Sequence, residues 1–507
     1  MERKGSVTVF LALVLSMMLS LVCTSVESVR MAAARTQILG SLDVGLYSLF
    51  GQYDKTLLED YDLFLLDGSC GGGELNMAHM YDNMESYMKP ILKQNSQKLS
   101  IVQGGFTGYR LATDEDGEAF YHQVVRYMKE TLGSQGVQLL LSRMKNREER
   151  TKEAEQNGNR AESGQALESY DAEMDSAARN SEAAMEEIQQ AGQNGGADGK
   201  AVFGSGSEDS GNTPEFSSNS DKDVRNPITV IRRIRRMGVL ELVLPPGSRV
   251  SEREISKSTL VSGRTLQKGM TIAGKLTEDT GYTSQVLFQQ YLMDKLGNFR
   301  SPSSSSKGLG YQVEYVLEGK DNDLDNLKGV AGKLLIIREG VNFAHLLSDP
   351  AKRSQAAALA AAIAATFLIP PAAAVIESAL LLCWAFGESI LDVRELLDGG
   401  CVPLIKSASD WQLSLGNLSN LLDSLDTRRR SVDNGMTYED YLQVMLISRS
   451  RNLKLERGMD MVELTIRSIP QRENFRLDSC ITAIEASVDV RANKRKVFTV
   501  TKQYCYD

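Results

Sequence analysis

An uncharged apolar segment near the N-terminus constrains this chain more than any other feature of its sequence. The 22 residues from Gly5 to Val26 carry no charge, and most of them are Val, Leu, Met or Phe. A helix of about 20 apolar residues spans a bilayer core, whereas the apolar region of a signal peptide has about 7–15 residues and ends at a small-residue cleavage site. Cys23-Thr24-Ser25 is a poor match to such a site. We therefore assign residues 6–26 to a transmembrane helix that is retained.

The charges around residues 6–26, called the anchor segment below, give little information about its orientation in the membrane. Arg3 and Lys4 precede it, and Arg30 and Arg35 follow it, so the count of basic residues on its two sides is nearly tied. A very short N-terminal tail is easily left in the cytoplasm while a long C-terminal domain is exported. We expect residues 1–5 to be a short cytoplasmic leader of a single-pass cell-membrane protein, with the bulk of the chain extracytoplasmic and the lipid bilayer as a partner.

The helical pattern continues beyond the first charged residue, Glu27. No proline interrupts residues 27–50, and their apolar positions recur at helical spacing. A stripe of this kind packs on the core of its own molecule in most proteins. The sequence therefore predicts one helix that leaves the membrane and packs on an outer domain, through Ala34, Ile38, Leu42, Leu46 and Leu49.

The segment RKGSVTVFLALVLSMM, residues 3–18, resembles the N-terminus of TadE/TadG-like proteins, the pilin-like minor components of tight-adherence pilus systems. The resemblance implies a long helix, half in the bilayer and half on a head domain, and a prepilin-peptidase site between Gly5 and Ser6. That family typically has a glutamate five residues after the cut, where this chain has Phe10. The sequence leaves open whether the leader is removed.

A wider pattern resembles an uncharacterised bacterial membrane-protein family of unknown function. It consists of SVTVFLALVL, then SVESVR, then GLYSLFGQYD followed by YDLF. This resemblance implies no activity.

Composition and motifs give no sign of catalysis. The formal net charge of −9 provides no global attraction to nucleic acid, so we expect no nucleic-acid partner. Six cysteines without a CxxC pair and three histidines supply no recognisable metal site or triad. The loop at 70–73 lacks the lysine of a P-loop, and the acidic residues Glu59, Asp60, Asp62 and Asp67 fit no EF-hand loop. We expect no catalytic residue, metal or cofactor, and no small-molecule substrate is evident.

The rest of the chain indicates an α+β fold rich in helix. Residues 27–146 should hold the pilin-like helix and an α/β segment, with two short strands around Gly104-Gly105 and a helix over 117–150. Residues 147–222 are polar and are expected to be a largely disordered insertion. Residues 223–507 form the second part of the extracytoplasmic region, in which 311–319 alternate like a strand, although a helix is an alternative.

A second apolar region covers residues 355–387. It is rich in alanine and is broken by Pro370-Pro371, which favours a buried helical hairpin. A second membrane segment is the alternative, because Ser354 to Ile376 is uncharged and long enough to span. In the hairpin interpretation Cys383 and Trp384 are core residues.

The C-terminal residues 480–505 predict a β-hairpin around RANKR. Pairing Val488 with Phe498 and Ala486 with Val500 places the apolar side chains on one face. This register puts Cys480 and Cys505 on opposite faces, so we expect no disulfide bond between them.

One basic cluster has two interpretations. Arg232, Arg233, Arg235 and Arg236 lie on a short amphipathic helix that ends before Pro245-Pro246. They form either a solvated helix face near acidic neighbours or a contact for anionic lipid headgroups or cell-wall polymers.

These patterns predict a non-enzymatic structural component of a Tad-type pilus or secretion assembly, with other proteins of that assembly as partners. The alternative is an anchored extracytoplasmic binding or regulatory protein without a pilus role.

Overall fold

The computed structural model of the chain describes residues 3–93, 99–160, 169, 172, 227–272, 274, 276–304, 308–366, 372–425, 435–492 and 496–506. Most of the insertion predicted at 147–222 lies outside these residues, as do Pro370-Pro371 and residues 493–495 between the last two strands. The first residues of the insertion continue a helix as far as Arg160.

Within the described residues the chain forms an α+β fold, as expected. Its helices are α1 Arg3–Phe50, α2 Lys55–Tyr61, α3 Met77–Lys93, α4 Glu118–Arg160, α5 Pro227–Arg235, α6 Val239–Val243, α7 Tyr282–Lys295, α8 Gln312–Glu318, α9 Asp323–Ser348, α10 Pro350–Thr366, α11 Ala373–Asp398, α12 Leu421–Ser424, α13 Tyr438–Ile447 and α14 Arg451–Arg467. Short 3-10 helices occupy Glu115–Gly117, Lys257–Thr259, Leu415–Asn420 and Leu477–Ser479. The strands are β1 Leu66–Asp67, β2 Ser100–Leu111, β3 Cys480–Ala492 and β4 Lys496–Cys505.

The sheet is antiparallel and is centred on β3. Strand β2 pairs with one side of β3, and β4 pairs with the other side over residues 483–492. The two-residue strand β1 pairs with the start of β3, where Leu66 lies opposite Ile481. The central strand of the sheet therefore comes from the C-terminal end of the chain.

The prediction of two short strands around Gly104-Gly105 is wrong. β2 is one strand that passes through both glycines. A Cβ atom on Gly104 would lie 2.0 Å from the hydroxyl oxygen of Tyr81. The glycine therefore makes room for a tyrosine of α3 and does not form a turn.

The predicted register of the C-terminal hairpin is wrong by two residues. Val488 lies opposite Val500 and Val490 lies opposite Phe498. Because side chains alternate with a period of two, this difference leaves each side chain on its expected face. Cys505 lies opposite Ala483, and Cys480 and Cys505 are not bonded to each other.

Residues 312–318 form a helix, not a strand. Six of its residues are buried, from Gln312 to Leu317, so both faces of this short helix face the protein interior. Burial on all sides removes the polar face that marks a helix in the sequence. The helix ends at Gly319, whose φ of 64° is in the left-handed region.

Helix α4 begins as predicted but is not straight. Its first part packs Phe120, Val124, Val125 and Met128 into the interior, as the sequence indicated. Gly133, with φ 62° and ψ 174°, interrupts the helical backbone and divides α4 into two helical pieces.

Two apolar cores organise the fold. The smaller core lies between the sheet, α3 and residues 34–50 of α1. The larger core gathers the helices from α4 to α14, with α11 among them.

The alanine-rich region forms two helices, α10 and α11, that pack on each other. α11 is apolar and long enough to cross a membrane, but 78% of its most apolar window is buried in the protein. Cys383 and Trp384 are buried, and the Trp384 indole donates a hydrogen bond of 2.7 Å to the Leu413 carbonyl oxygen. α11 is thus a buried helix of the larger core, whereas α10 packs on it through a face of small residues, Ala356, Ala360 and Ala364.

Four buried charged side chains fasten this hairpin to the loop that follows α11. Lys406 pairs with Glu388 and, at 2.6 Å, with Asp392. Arg338 of α9 pairs with Asp392 at 2.9 Å and donates hydrogen bonds to the carbonyl oxygens of residues 403 and 404.

Burial raises the pKa of Glu388 even with Lys406 beside it. Burial acts in the same direction on Asp392, but Lys406 and Arg338 hold its pKa below the usual range.

Candidate functional site

The candidate site is α1, a helix of 48 residues with two chemically different halves. From Val7 to Val29 every residue is exposed, although the segment has the highest apolar content of the chain. A window of this helix has a mean hydropathy of 2.4 and none of it is buried. Water is an unfavourable environment for so many exposed Val, Leu, Met and Phe side chains, and a bilayer core is a favourable one.

Three hydroxyl side chains of this exposed half form hydrogen bonds within the helix. The hydroxyl of Ser16 donates to the carbonyl oxygen of Leu13, and those of Thr24 and Ser25 donate to that of Leu21, each at 2.9 Å. An unsatisfied hydroxyl is costly in hydrocarbon, so these internal bonds suit the helix to a bilayer.

Small residues share one face of this half. Thr8, Ala12, Ser16 and Ser20 follow one another at four-residue spacing, and at 100° per residue they form one slowly turning ridge. Cys23 lies seven residues after Ser16 and therefore on the same side. Small residues at this spacing let two membrane helices approach closely.

The second half of α1 is held on the protein. Ala34, Ile38, Leu42, Leu46 and Leu49 are all buried, which confirms the predicted stripe. They face a row of side chains on α3 and the inner face of the sheet, namely Met80, Met84, Met88, Leu92, Ile484, Ala486 and Val488.

The contact between α1 and α3 is close. A Cβ atom on Gly45 would lie 2.7 Å from Cγ of Met88. Gln37 of α1 donates a hydrogen bond of 3.0 Å to the carbonyl oxygen of Ile91. These contacts fix α1 against the outer domain along its second half.

Aromatic residues enclose the end of α1. The ring of Phe50 lies 4.8 Å from that of Tyr504 and 4.7 Å from that of Tyr506. Lys502 of β4 also pairs with Asp43 at 2.5 Å. Lys502, Tyr504 and Tyr506 thus hold the C-terminal part of α1 in place.

The residues of the expected peptidase site, Gly5 and Ser6, lie in the first turns of α1. Phe10, at the position where the pilin-like family has its glutamate, is exposed. The first acidic residue of the helix is Glu27.

The basic cluster is divided between two environments. Arg235 pairs with Glu339 of α9 and lies over the ring of Phe386 at 4.2 Å. Arg232 is half-buried, whereas Arg233 and Arg236 are exposed. The structure therefore directs part of the cluster into the protein, and two arginines remain at the surface.

The acidic candidates do not come together as a metal site. Asp67 accepts hydrogen bonds from the Ser69 hydroxyl and from two backbone N–H groups, and Asp62 pairs with Lys295. In the run at 321–326, Asn322 caps α9. The part of the chain that the structure describes contains no group of three or more His, Cys, Asp or Glu residues placed to hold a metal ion.

Sequence reasoning missed a concave surface that contains His122. Arg110 of β2 and Arg126 of α4 lie beside it, and the end of β4 completes the surface. No sequence signal joins these residues, because they come from distant segments.

Comparison with known proteins identifies one family. Residues 217–492 match a family described as a family of unknown function, DUF5702. The match runs from just before α5 to the end of β3 and does not include α1. No curated protein and no solved structure matches the chain. The match agrees with the expected uncharacterised family and assigns no activity. Because it covers more than half of the 507 residues, the chain belongs to the DUF5702 family of unknown function.

Proposed function

We propose that this protein is a non-enzymatic, membrane-anchored component of the cell envelope, with a structural, pilin-like role in a tight-adherence pilus or secretion assembly. The observation that carries the proposal is the two-part character of α1. Its first half is apolar and exposed, and its second half is buried against an antiparallel sheet without any break in the helix.

This continuity has a mechanical consequence. A helix without a hinge transmits the position of the anchor segment directly to the domain packed on its second half. If anchors pack side by side in the bilayer, their outer domains are placed at a fixed spacing and orientation. In the proposed orientation the leader lies in the cytoplasm and the outer domain faces the outside.

The ridge of small residues supports side-by-side packing. Helices in a bilayer gain little from burying apolar side chains, since lipid is equally apolar, and they associate through close backbone approach and hydrogen bonds. Thr8, Ala12, Ser16 and Ser20 provide a face on which a second α1 helix can approach closely.

Cys23 lies on this face and allows a direct test. Membranes that contain the full chain are oxidised with copper phenanthroline and analysed on a non-reducing gel. All chains carry Cys70→Ser, because Cys70 is a second exposed free cysteine. In this background we expect Cys23 to form a disulfide-linked dimer and Cys23→Ser to form none. Adding Ser16→Cys to C23S should restore the dimer.

The matched control is Leu21→Cys in the C23S background. Leu21 is two residues from Cys23, so its depth is nearly equal, but it points about 160° away around the helix. We expect much less dimer from this variant. Equal cross-linking of L21C and S16C, or none from either, would contradict lateral packing on this face and would favour an anchored binding or regulatory protein.

A genomic observation tests the assembly itself. Neighbouring genes for a secretion ATPase and a prepilin peptidase would support the pilus role, and their absence would count against it.

A further inference from the structure

A cavity of about 220 Å³ lies between β2, the first part of α4 and the end of β4. Three of the residues that line this basic cavity, Arg110, His122 and Arg126, are basic, and none is Asp or Glu. The opening faces solvent beside α4, because Arg126 is exposed and His122 is half-buried.

Arg110 is the unusual member of this set. Arg110 is only 8% exposed, and its guanidinium donates a hydrogen bond to the carbonyl oxygen of Gly274. Within the described residues no carboxylate forms an ion pair with Arg110. No guanidinium nitrogen of Arg110 is both buried and without a hydrogen-bond partner, so the donors that do not bond to Gly274 are open to the cavity that Arg110 lines.

The acidic residues nearest the cavity already have partners. Glu118 lies 3.6 Å from His122 and also pairs with Arg451. Glu130 accepts a hydrogen bond of 2.9 Å from Arg126. Among the described residues they leave Arg110 without a carboxylate partner, which gives the cavity a positive character.

A second cavity, of about 330 Å³, adjoins the first and shares Gln123, Arg126, Cys505 and Tyr506 with it. Its other lining residues are the aromatic side chains Phe64, Tyr127 and Tyr504 and two carboxylates, of which Asp62 pairs with Lys295 and Glu130 with Arg126. This aromatic cavity offers flat apolar surfaces next to a cationic one.

The floor of the combined groove is fixed in place. The side-chain amide of Gln123 accepts a hydrogen bond of 3.1 Å from the N–H of Phe64 and donates one of 2.9 Å to its carbonyl oxygen. A site held in this way needs little reorganisation to bind a ligand.

From this geometry we infer that the groove binds a small anionic ligand, whose carboxylate or phosphate group pairs with Arg110 in the basic cavity and whose ring-shaped or aliphatic body lies in the aromatic cavity. The fork of donors on an arginine matches both kinds of anion. This inference is independent of the proposed assembly role.

The position of the groove bears on the source of the ligand. Tyr506 bonds to Phe50, which lies 24 residues after Val26 and so about 36 Å farther along the helix axis. With the anchor segment in the bilayer and α1 upright, the groove lies beyond the reach of lipid headgroups. A soluble metabolite or an anionic envelope polymer fits this position better than a lipid.

The test is calorimetric titration of the full chain in nanodiscs of neutral lipid with inorganic phosphate, glucose 1-phosphate, glucuronate and neutral glucose. We expect the anions to bind and glucose not to bind. Arg110→Met should weaken binding by about ten- to a hundredfold, the usual worth of a charge-assisted hydrogen bond. The control is Arg143→Met, which removes an exposed arginine of α4 that does not line either cavity, and it should bind as the wild type does.

Two further variants keep the test decisive. Arg126 is exposed, so Arg126→Met tests the same cavity without disturbing the core, and it should weaken binding too. Asp507 follows Tyr506 in the sequence and carries a competing carboxylate, so Asp507→Asn is titrated as well. Binding that appears only in D507N would contradict the proposal that the groove takes an external anion. Equal binding by R110M and R143M would contradict it too, and so would a wild type that binds no anion.

A comparison of lipids distinguishes the source of the anion. If lipid headgroups fill the groove, the affinity for glucuronate should fall in nanodiscs that contain phosphatidylglycerol. An unchanged affinity supports a soluble or polymer-borne ligand, because charge at this distance is screened at physiological ionic strength.

Discussion

The hydroxyl of Tyr506 donates a hydrogen bond of 2.5 Å to the backbone carbonyl oxygen of Phe50. Phe50 is the last residue of the helix that contains the anchor segment, and Tyr506 directly follows the last strand. Burial raises the pKa of the Tyr506 hydroxyl, so the group stays protonated and remains a donor at physiological pH. The segment after β4 is therefore joined to the C-terminal end of α1 and holds it in place.

The packing of α1 on the sheet can be measured with one pair of variants. Leu42→Ala removes a fully buried side chain between α1, α3 and the sheet, and should lower the free energy of unfolding by about 2–5 kcal/mol. Val44→Ala, two residues away and 44% exposed, should change it by about 0.5 kcal/mol or less. Urea unfolding in detergent micelles, followed by circular dichroism, compares the two. Equal effects would show that the second half of α1 does not pack as described.

Cleavage at the leader follows from the pilin-like proposal. An assembling subunit needs its apolar helix but must lose Arg3 and Lys4 to leave the bilayer, so the mature chain should begin at Ser6. Gly5→Leu should block cleavage and leave Met1 in place. N-terminal sequencing of both forms decides this, and an intact Met1 in the wild type would leave the anchor but remove the pilin-like mechanism.

Glu314 should make stability depend on pH. Burial raises its pKa to about 7, although the N–H of Phe299 and the hydroxyl of Tyr438 donate hydrogen bonds to it. Between pH 4.5 and 7 the folded state keeps this proton and the unfolded state loses it. The free energy of unfolding therefore decreases as the pH rises through this window, by about 3 kcal/mol.

Glu314→Gln removes this titration. Relative to the wild type, the variant should gain about 3 kcal/mol of stability between pH 4.5 and pH 8. Glu456→Gln, at an exposed position, should keep the wild-type profile. Urea unfolding at several pH values measures both, and parallel curves for the wild type and E314Q would contradict the prediction.

The buried charges around Lys406 should be costly to separate. Lys406→Met leaves Glu388 and Asp392 without their ammonium partner and should destabilise the protein by about 3–5 kcal/mol. Lys502→Met breaks the pair between Lys502 and Asp43, in which the two side chains are 41% and 47% exposed. This variant should lower the free energy of unfolding by about 1 kcal/mol or less. Thermal unfolding of the two variants compares them, and similar melting temperatures would refute the distinction.

The second half of α1 could be predicted from the sequence because helical periodicity is local. Each apolar residue of the predicted stripe, from Ala34 to Leu49, is buried, since a regular 3.6-residue repeat leaves no other face to bury. The faces of β3 and β4 could also be predicted, because the alternation of side chains along a strand is local, but the register between the two strands could not. Register depends on the length of the turn, and a two-residue shift keeps the same face inside.

The errors occur where distant residues decide the structure. The short helix Gln312–Glu318 is buried on all sides, so its sequence lacks the polar face of a helix. A glycine stands at position 104 because Tyr81 of α3 occupies the space that a side chain would need. Arg110, His122 and Cys505 form one groove although hundreds of residues separate Cys505 from the others, and the spacing of residues in a single sequence gives no sign of this.

The central place of β3 sets an order on biogenesis. Helix α1 is synthesised early, but the strand that completes the sheet under it begins at Cys480, after residues 51–479. Until that strand is made, the apolar stripe of residues 34–49 has no completed sheet to cover it. A chain that stops before Cys480 leaves the sheet-facing side of this stripe open to proteases and chaperones, so the fold itself distinguishes finished chains from truncated ones.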